Sequence, residues 1–419
     1  MHHLLRHHHA RVCALLGLSL LLLGAGPAAA DRYHVSLAGT RTAGASIPGD
    51  WSSANCYPTL AAAAATATPA DSLLLSRETH ALTAAVDLSA FLGNADLDAD
   101  PVNCVLALTG AGQLNVDPQS VIAEVRGLDL QGDGVLRAAS ALVVANPGGT
   151  LTDLSVRGCL FGDFNGGHDF GGAALRTLDG DGLHLVIADC SFTGNQTPYR
   201  GGAIRIDDGV TATIEDCTFT DNRTVSGLSS SAFGGAIHVL SPDDPTHLTV
   251  RRSTFVGNAS ARIGGALCVY DASLVMEETS VVGSRSAWDG TSSWCAGAGV
   301  MVRRNEGAHT EAVALEVRDC LFQDNVGNLD NGPGAGDGGG LMVRGSIDRL
   351  VDVTVERSDF LDNYNDQGAG LYVGRYTSGT VSHCRFQRNR TYTSGGATFK
   401  GGANPENLGE TVVYTFCEF

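Results

Sequence analysis

The chain is built from an internal repeat whose two motifs recur in a fixed order. One motif is Cys-x-Phe-x-x-Asn at the end of an apolar-alternating run, and the other is Gly-Gly-Ala followed by an aliphatic residue. From Cys159 to Cys417 the repeat advances eight steps over 258 residues, a mean near 32. Clear copies of the two motifs begin at Cys190, Cys217, Cys320 and Cys384, and at Gly171, Gly201, Gly234 and Gly264.

A repeat of this length, with short strands, turn residues and no helical periodicity, predicts one solenoid coil per repeat. The predicted fold class is all-β, a right-handed parallel β-helix. Composition agrees, because 54 glycines beside 43% hydrophobic residues are too apolar for a disordered chain and lack the three-residue period of collagen. The net charge of −18 argues against nucleic acid as a partner.

Parallel coils about 4.8 Å apart would stack equivalent residues into ladders, which provides a test of the alignment. Two residues before the Cys position the charges alternate strictly, and one residue before it they vary in sign. Stacked opposite charges stabilise neighbouring strands. The two predicted columns are Glu215, Arg251, Glu277, Arg318 and Glu356, and Asp216, Arg252, Glu278, Asp319 and Arg357.

The Cys position holds only small residues in successive repeats, which indicates an inward column of buried thiols and hydroxyls. Parallel Cβ atoms about 4.8 Å apart are too distant for relaxed disulfide geometry. Outside this column, Cys56 with Cys104 and Cys268 with Cys295 are disulfide candidates, with free thiols as the alternative. The Asn of the first motif is expected to bond to backbone in a stacked Asn ladder.

The chain divides into three predicted segments. Residues 1–30 read as a secretory signal peptide, residues 31–105 as an N-terminal cap and first strands, and residues 106–419 as parallel β-helix, regular from about 151. A short Ala-rich helix at residues 59–68 suits the cap. No second long apolar segment follows, so the mature chain is expected to be exported, extracellular or on the outer cell surface, without a transmembrane segment. The last repeat stops at its Phe, so we expect the natural polypeptide to continue or the chain to be a fragment.

The paired motifs resemble the repeats of the chlamydial polymorphic outer membrane proteins over roughly residues 151–419. The pattern of Tyr33, Val35, an Ala-rich helix and a strand is similar to the N-terminal segment of secreted pectin-lyase-like β-helices. The first resemblance implies a surface-exposed passenger used for adhesion. The family's C-terminal membrane barrel is not recognised after these repeats, so membrane anchoring is not carried over.

A candidate ligand-binding face lies on the Gly-Gly-Ala strands, where the residue after the aliphatic one should point outward. Longer loops at residues 223–233, 285–296 and 326–337 would wall a groove there, and two tryptophans would stack on sugar rings. The alternative is that these are ordinary solvated positions. The candidate residues are Arg176, Arg205, Asp207, His238, Tyr270, Arg303, Arg344, Trp288 and Trp294.

No catalytic set is assembled by the sequence. Asp207 with Asp208, Asp243 with Asp244, and the Gly-His-Asp run at residues 167–169 are isolated pieces, and acidic pairs in turns are usually turn formers. No cofactor or metal ligand is predicted. Ca²⁺ at residues 179–181 or 330–337 is kept as an alternative, although the repeated Gly-Gly-x-Gly-x-Asp array of calcium β-rolls is missing.

Two functions follow for the chain. The leading hypothesis is a non-enzymatic, exported β-helix scaffold for adhesion or partner binding, with a polysaccharide or a host or neighbouring cell-surface molecule as partner. The alternative is a carbohydrate-active β-helix enzyme, a lyase or hydrolase, acting on an acidic polysaccharide.

Overall fold

The structure is a computed structural model. It describes residues 32–35, 56–68, 71–88, 90–94, 104–116, 122–137, 140–146, 149, 151–166, 171–178, 180–226, 231–290, 292, 295–327, 336–401 and 411–419. The described residues from Arg32 onward form one compact unit. The predicted signal peptide lies outside the described residues, as does Trp294.

The chain forms a parallel β-solenoid, which confirms the predicted fold class. Each coil adds one strand to each of three long sheets, and the strands of successive coils pair in parallel. Two short sheets fill a fourth side. The right-handed sense of the coil stays a prediction.

In each of the following sheets, every strand pairs with the strand named immediately before it. Sheet 1 contains Cys56–Tyr57, Arg32–Val35, Ser72–Leu75, Phe91–Asn94, Ile122–Arg126, Asp153–Arg157, His184–Ala188, Thr211–Glu215, His247–Arg251, Ser273–Glu277, Val313–Arg318, Val351–Glu356, Thr377–Ser382 and Val412–Thr415. Sheet 2 contains Thr79–Leu82, Val105–Leu108, Asp129–Gln131, Leu160–Gly162, Ser191–Thr193, Thr218–Thr220, Thr254–Val256, Ser280–Val282, Leu321–Gln323, Asp359–Leu361 and Arg385–Gln387.

The Gly-Gly-Ala strands form the third long sheet. Sheet 3 contains Ala85–Leu88, Gln113–Val116, Leu142–Ala145, Leu175–Leu178, Ile204–Ile206, Ile237–Leu240, Leu267–Tyr270, Val300–Arg303, Leu341–Arg344, Leu371–Val373 and Thr398–Lys400. Sheet 4 contains Leu136–Arg137, Asn165–Gly166, Gln196–Thr197, Arg223–Thr224, Ala259–Ser260 and Arg285–Ser286. Sheet 5 contains Cys295–Ala296, Gly336–Asp337, Tyr364–Gln367 and Arg390–Ser394.

One short helix, Leu60–Ala64, lies near the first coil. Thr59 caps it by accepting a hydrogen bond from the Ala62 N–H at 3.2 Å. The sequence predicted a helix to residue 68, but the Thr68 N–H instead donates to the Asp71 carboxylate at 2.7 Å and turns the chain into the next strand. Leu60 and Ala63 are buried against the core. A capping role for this helix stays a prediction.

The core of each coil is built from side chains that stack on their own equivalents. The rings of Phe161, Phe192, Phe219 and Phe255 are parallel, with centroids 4.6 to 4.8 Å apart. At Gly235, which begins the close approach between coils, a Cβ atom would clash with the Gly265 carbonyl oxygen. Glycine at this position therefore permits the close approach of neighbouring coils.

The Asn position forms a buried ladder, as predicted, in two runs that are separated by Ser284. Asn222 Nδ2 donates to the Phe192 carbonyl at 2.8 Å and to Asn258 Oδ1 at 3.1 Å, while Asn222 Oδ1 accepts from the backbone and side-chain N–H groups of Asn195. Asn195, Asn222 and Asn258 are fully buried. The amide therefore satisfies the turn of the coil before it and bonds to the ladder Asn of the coil after it.

The Cys column consists of buried free thiols and hydroxyls, as predicted. The Cys159 N–H donates to Cys190 Sγ at 3.4 Å, and the Cys217 N–H donates to Ser253 Oγ at 3.1 Å. Burial raises the pKa of Cys320 to about 12, which keeps that thiol protonated at neutral pH.

The disulfide candidates outside this column are not formed where the structure describes their side chains. Cys268 is a buried free thiol, so the predicted pairing of Cys268 with Cys295 is wrong. Cys268 instead belongs to a small apolar cluster with Met301 and Met342. Cys104 is also a free thiol, and its Sγ donates to the Leu75 carbonyl at 3.5 Å.

The predicted charge ladders are confirmed by the strand register. Glu215, Arg251, Glu277, Arg318 and Glu356 are successive partners in sheet 1. The Arg251 Nε lies 3.1 Å from the Glu277 carboxylate. The second column lies at a turn, where even charged residues adopt positive φ. Its arginines form bidentate pairs with the carboxylates one coil earlier, such as Arg252 with Asp216 and Arg357 with Asp319.

The Asn ladder predicts a large stability loss on truncation. Asn222→Ala removes a donor to the Phe192 carbonyl and the acceptor of the Asn195 backbone N–H, both of which are buried, so we expect the free energy of unfolding to fall by about 3 kcal/mol. Urea denaturation followed by circular dichroism measures it. Thr218→Ala, which removes a solvent-exposed hydroxyl contact to Ser191, is the control and should cost less than about 0.5 kcal/mol. Equal losses in the two variants would contradict the ladder's role.

The charge ladder predicts a pH-dependent stability. The Arg357 guanidinium, which donates to Asp319, holds the pKa of that carboxyl below its usual range. A lowered folded pKa stabilises the protein above the unfolded value of about 3.9, and this stabilisation is lost as the pH falls through the folded pKa. The urea midpoint of Arg357→Gln should therefore lie below that of the wild type at pH 7, and the two should converge below pH 4. Arg375→Gln, an exposed arginine without a side-chain ion pair in the described part of the chain, should show no such pH-dependent gap.

Candidate functional site

The column after each Gly-Gly-Ala aliphatic residue has the predicted register. Its residues pair coil by coil in sheet 3 and face away from the main core. The members in order are Arg176, Arg205, His238, Cys268, Met301, Met342, Tyr372 and Phe399.

The middle of this column is buried, whereas the sequence predicted an outward surface. His238, Cys268, Met301 and Met342 are fully buried. The reason is a second row of residues that precedes the Gly-Gly-Ala motifs and stacks in parallel as Phe233, Ile263 and Ala296. Because these apolar side chains lie over the column, the expected open groove is closed there by a second hydrophobic cluster.

His238 illustrates the consequence for a ligand. Its ring lies 6.0 Å from the Phe233 ring, centroid to centroid, and both ring nitrogens lack a hydrogen-bond partner among the described residues. Burial, reinforced by Arg200 and Arg205, holds the pKa of His238 well below its usual range, so the ring is neutral at neutral pH. Because the ring is fully buried, a ligand reaches it only if the side chains around it, among them Phe233 and Tyr270, move aside.

Three other predicted site residues are brought together at the N-terminal end of the column. Arg205 Nε donates to Asp207 Oδ1 at 2.7 Å, and Arg176 Nε lies 3.7 Å from Asp207 Oδ2. The three side chains are only 10 to 14% exposed. Asp207 therefore neutralises part of the positive charge of the two arginines. Ligand binding by this cluster stays a prediction.

Tyr270, Arg303 and Arg344 form a second predicted column, and they are successive partners in sheet 3. The Arg303 guanidinium carbon lies 6.0 Å from the centroid of the Tyr270 ring. Burial raises the pKa of the Tyr270 hydroxyl, and it raises the pKa of the nearby Asp337 to about 6. These residues pack along the edge of the second hydrophobic cluster, and a binding role for them also stays a prediction.

Trp288 lies apart from both groups, in a groove on sheet 4 that we call the Trp288 groove. The groove has a volume of about 490 Å³, and the indole side chain is 40% exposed in it. Its lining residues are Asp221, Arg223, Gly257, Ala259, Gly283, Arg285 and Trp288.

The groove exists because small residues fall at adjacent ladder positions. Ala259 lies between Arg223 and Arg285 in the register of sheet 4. Asp221, Gly257 and Gly283 hold the same turn position in three successive coils. The floor therefore lacks long side chains, while Arg223 and Arg285 stand two coils apart on either side of it.

Trp288 is held across the coils by hydrogen bonds. Its indole Nε1 donates to the Thr224 carbonyl at 2.9 Å, and its backbone N–H donates to the Ser260 carbonyl at 3.3 Å. The next residue, Asp289, accepts a hydrogen bond from the Ser226 N–H at 3.2 Å. These contacts reach back to a coil more than 60 residues earlier in sequence and fix the position of the ring.

The cations of the groove are not neutralised as the ladder arginines are. Arg223 Nε donates to Gln196 Oε1 at 2.9 Å, and its guanidinium carbon lies 5.9 Å from the Trp288 ring centroid. In the part of the chain that the structure describes, neither Arg285 nor Asp221 has a side-chain hydrogen bond or ion pair. Arg252 and Arg357, by contrast, are each bidentate to a carboxylate.

Sequence reasoning identified Trp288 but missed the arginines beside it. The available signal was the residue that follows the Asn position, which is Arg223 in one coil, Ala259 in the next and Arg285 in the one after. That pattern places two cations around a gap only if a strand continues through this position. The continuation of sheet 4 is a feature of the structure that the repeat motifs do not reveal.

Metal clusters and membrane-spanning helices are both absent from the described residues. No group of three or more His, Cys, Asp and Glu side chains is arranged to hold a metal ion among them. Within the same residues, no helix has the length and apolar character needed to cross a membrane. The predicted Ca²⁺ alternatives rest largely on residues 179 and 330–335, which lie outside the described part.

Comparison with known proteins finds a match within the repeat. A family model described as the Chlamydia polymorphic membrane protein repeat matches residues 189–207. This stretch contains Cys190, Phe192 and Asn195 of the first motif and the Gly-Gly-Ala-Ile motif that starts at Gly201. No curated protein and no solved structure matches the chain. Residues 189–207 of this parallel β-solenoid therefore match the Chlamydia polymorphic membrane protein repeat.

Proposed function

We propose that this chain is an exported, non-enzymatic scaffold at the cell surface that binds a partner on another surface through the Trp288 groove. The observation that carries the proposal is an exposed indole held rigidly between two arginines without carboxylate partners. Tryptophan, tyrosine and arginine contribute most of the energy at many binding interfaces. A rigid indole buries a large area at a low cost in conformational entropy.

The fold supports a role in presentation. A solenoid whose coils contact only their neighbours tolerates a loop inserted in one coil, because the other coils keep their register. Trp288 lies in such a loop, between strands Arg285–Ser286 and Cys295–Ala296. The matched repeat belongs to a family of outer-membrane or surface proteins, which supports export and display.

The groove favours binding over catalysis. Among the described residues that line it, Asp221 is the one carboxylate. Glycoside hydrolysis by the usual acid and base mechanism needs two carboxyl groups on opposite sides of the scissile bond. The carbohydrate-active enzyme remains the competing hypothesis, and product formation from uronate polymers distinguishes it.

The test uses beads coated with the full chain and offered to three surfaces, namely cultured epithelial cells, plant cell-wall fragments and bacterial cells. We expect beads to adhere to at least one surface, and Trp288→Ala to lose at least about tenfold in bound beads, because the substitution removes the central anchor. The matched control is Tyr392→Ala, which removes another exposed aromatic ring on a different sheet. Thermal unfolding of each variant reports whether the fold is kept.

Two results would overturn the proposal. One is adhesion to none of the three surfaces. The other is the appearance of new reducing or unsaturated ends when the chain is incubated with a panel of uronate polymers, since that product requires catalysis.

A further inference from the structure

We infer that the Trp288 groove binds a hexuronic acid residue of a glycan, with the sugar ring on the indole and the carboxylate on Arg285. This inference rests on the proposed function and names the chemistry of its ligand. It draws on the shape of the groove, the placement of its cations and the single carboxylate at its edge.

The shape of the groove suits a flat, rigid ring. Gly257, Ala259 and Gly283 leave the floor without long side chains, and the volume of about 490 Å³ lies in the range of small-ligand clefts. The indole N–H of Trp288 is already bonded to the Thr224 carbonyl, so the indole offers its apolar surface and not a donor. The apolar C–H face of a pyranose ring packs on such a surface.

The cations are placed for a carboxylate beside that ring. Arg223 and Arg285 lie two coils apart in sheet 4, so their Cα atoms lie about 10 Å apart across the floor. The planar guanidinium of Arg285, which has no ion pair in the described part of the chain, can bind a carboxylate in bidentate fashion. Arg223 also lines the groove, where Gln196 and the indole hold its guanidinium.

Asp221 favours a uronate over a more highly charged ligand. Its carboxylate lines the groove without a partner among the described residues, so it can accept hydrogen bonds from sugar hydroxyls. The same charge repels a doubly charged phosphate group at that edge more strongly than a singly charged carboxylate. A sugar with one carboxylate and several hydroxyls matches two arginines and one aspartate.

A purely structural role for Trp288 explains less of the geometry. Two contacts would suffice to hold the loop in place. Trp288 Nε1 donates to the Thr224 carbonyl, and Asp289 accepts from the Ser226 N–H. Neither contact requires an exposed indole face or an unpaired Arg285. Trp288→Phe would lose the hydrogen bond to the Thr224 carbonyl and keep an aromatic face. This variant therefore separates a structural role of Trp288 from a binding role.

The experiment measures binding of tetragalacturonate and of its fully methyl-esterified form to the full chain by isothermal titration calorimetry. The ester keeps the ring and loses the charge. We expect the acid form to bind at least about tenfold more tightly than the ester in about 50 mM salt, with the preference shrinking as salt is raised. Arg285→Gln should abolish the preference, Trp288→Ala should weaken both ligands, and Trp288→Phe should retain binding with a lower melting temperature.

Arg375→Gln is the matched control and should bind as the wild type does. Equal affinity for acid and ester, or a preference unchanged by Arg285→Gln, would overturn the uronate inference. Tighter binding of a Glu-rich peptide than of the acid tetramer would also overturn it. If Trp288→Ala still removes adhesion to cells in those cases, the scaffold proposal stands and only the ligand class fails.

Discussion

In-register stacking of parallel coils about 4.8 Å apart is the constraint on which the rest of this structure depends. It places each side chain against the equivalent side chain of the next coil. Only residue types whose packing, hydrogen bonds or charges are satisfied by such a neighbour can therefore occupy the ladders. Phenylalanine does so through offset parallel rings, and asparagine does so because its amide both donates and accepts. Arginine satisfies the rule only by alternating with a carboxylate, as Arg251 does with Glu277.

The ladders could be predicted from sequence because their physical requirement is periodic. Glu215, Arg251 and Glu277 were aligned by residue type alone, and the strand register places them on successive coils. Small residues at the Cys position indicated thiols too far apart to bond, and Cys159, Cys190 and Cys217 are free. A feature that repeats in every coil occurs many times in one sequence, so each copy is an independent check on how the repeats are aligned. A wrong alignment would break the alternation of charge.

The candidate site could not be predicted in the same way, because it depends on features that occur once. The sequence placed His238 on an outward face, and that direction is correct relative to the main core. It could not show that Phe233, at the end of a loop of different length from its neighbours, would cover the ring. Trp288 was recognised as an exposed aromatic residue, but its contact with Thr224 crosses 64 residues of sequence and leaves no local pattern.

The Trp288 groove lies where the ladders are interrupted. The coil that carries Gly283 and Arg285 has Val281 in place of the stacked Phe and Ser284 in place of the ladder Asn. Ser284 Oγ has no hydrogen-bond partner among the described residues, so its side chain does not continue the ladder to the coil before it.

The following coil compensates for this interruption. Asn325 accepts from the Ser284 N–H at 3.0 Å and donates to the Val281 carbonyl at 2.9 Å, so the backbone of the interrupted coil stays bonded to the coil after it. Because register is maintained by the neighbours, this coil is free to carry glycine, an unpaired arginine and a loop with an exposed tryptophan. The same stacking that constrains most of the regular repeats thus permits a binding surface at a coil that lacks both the Phe and the Asn of the first motif.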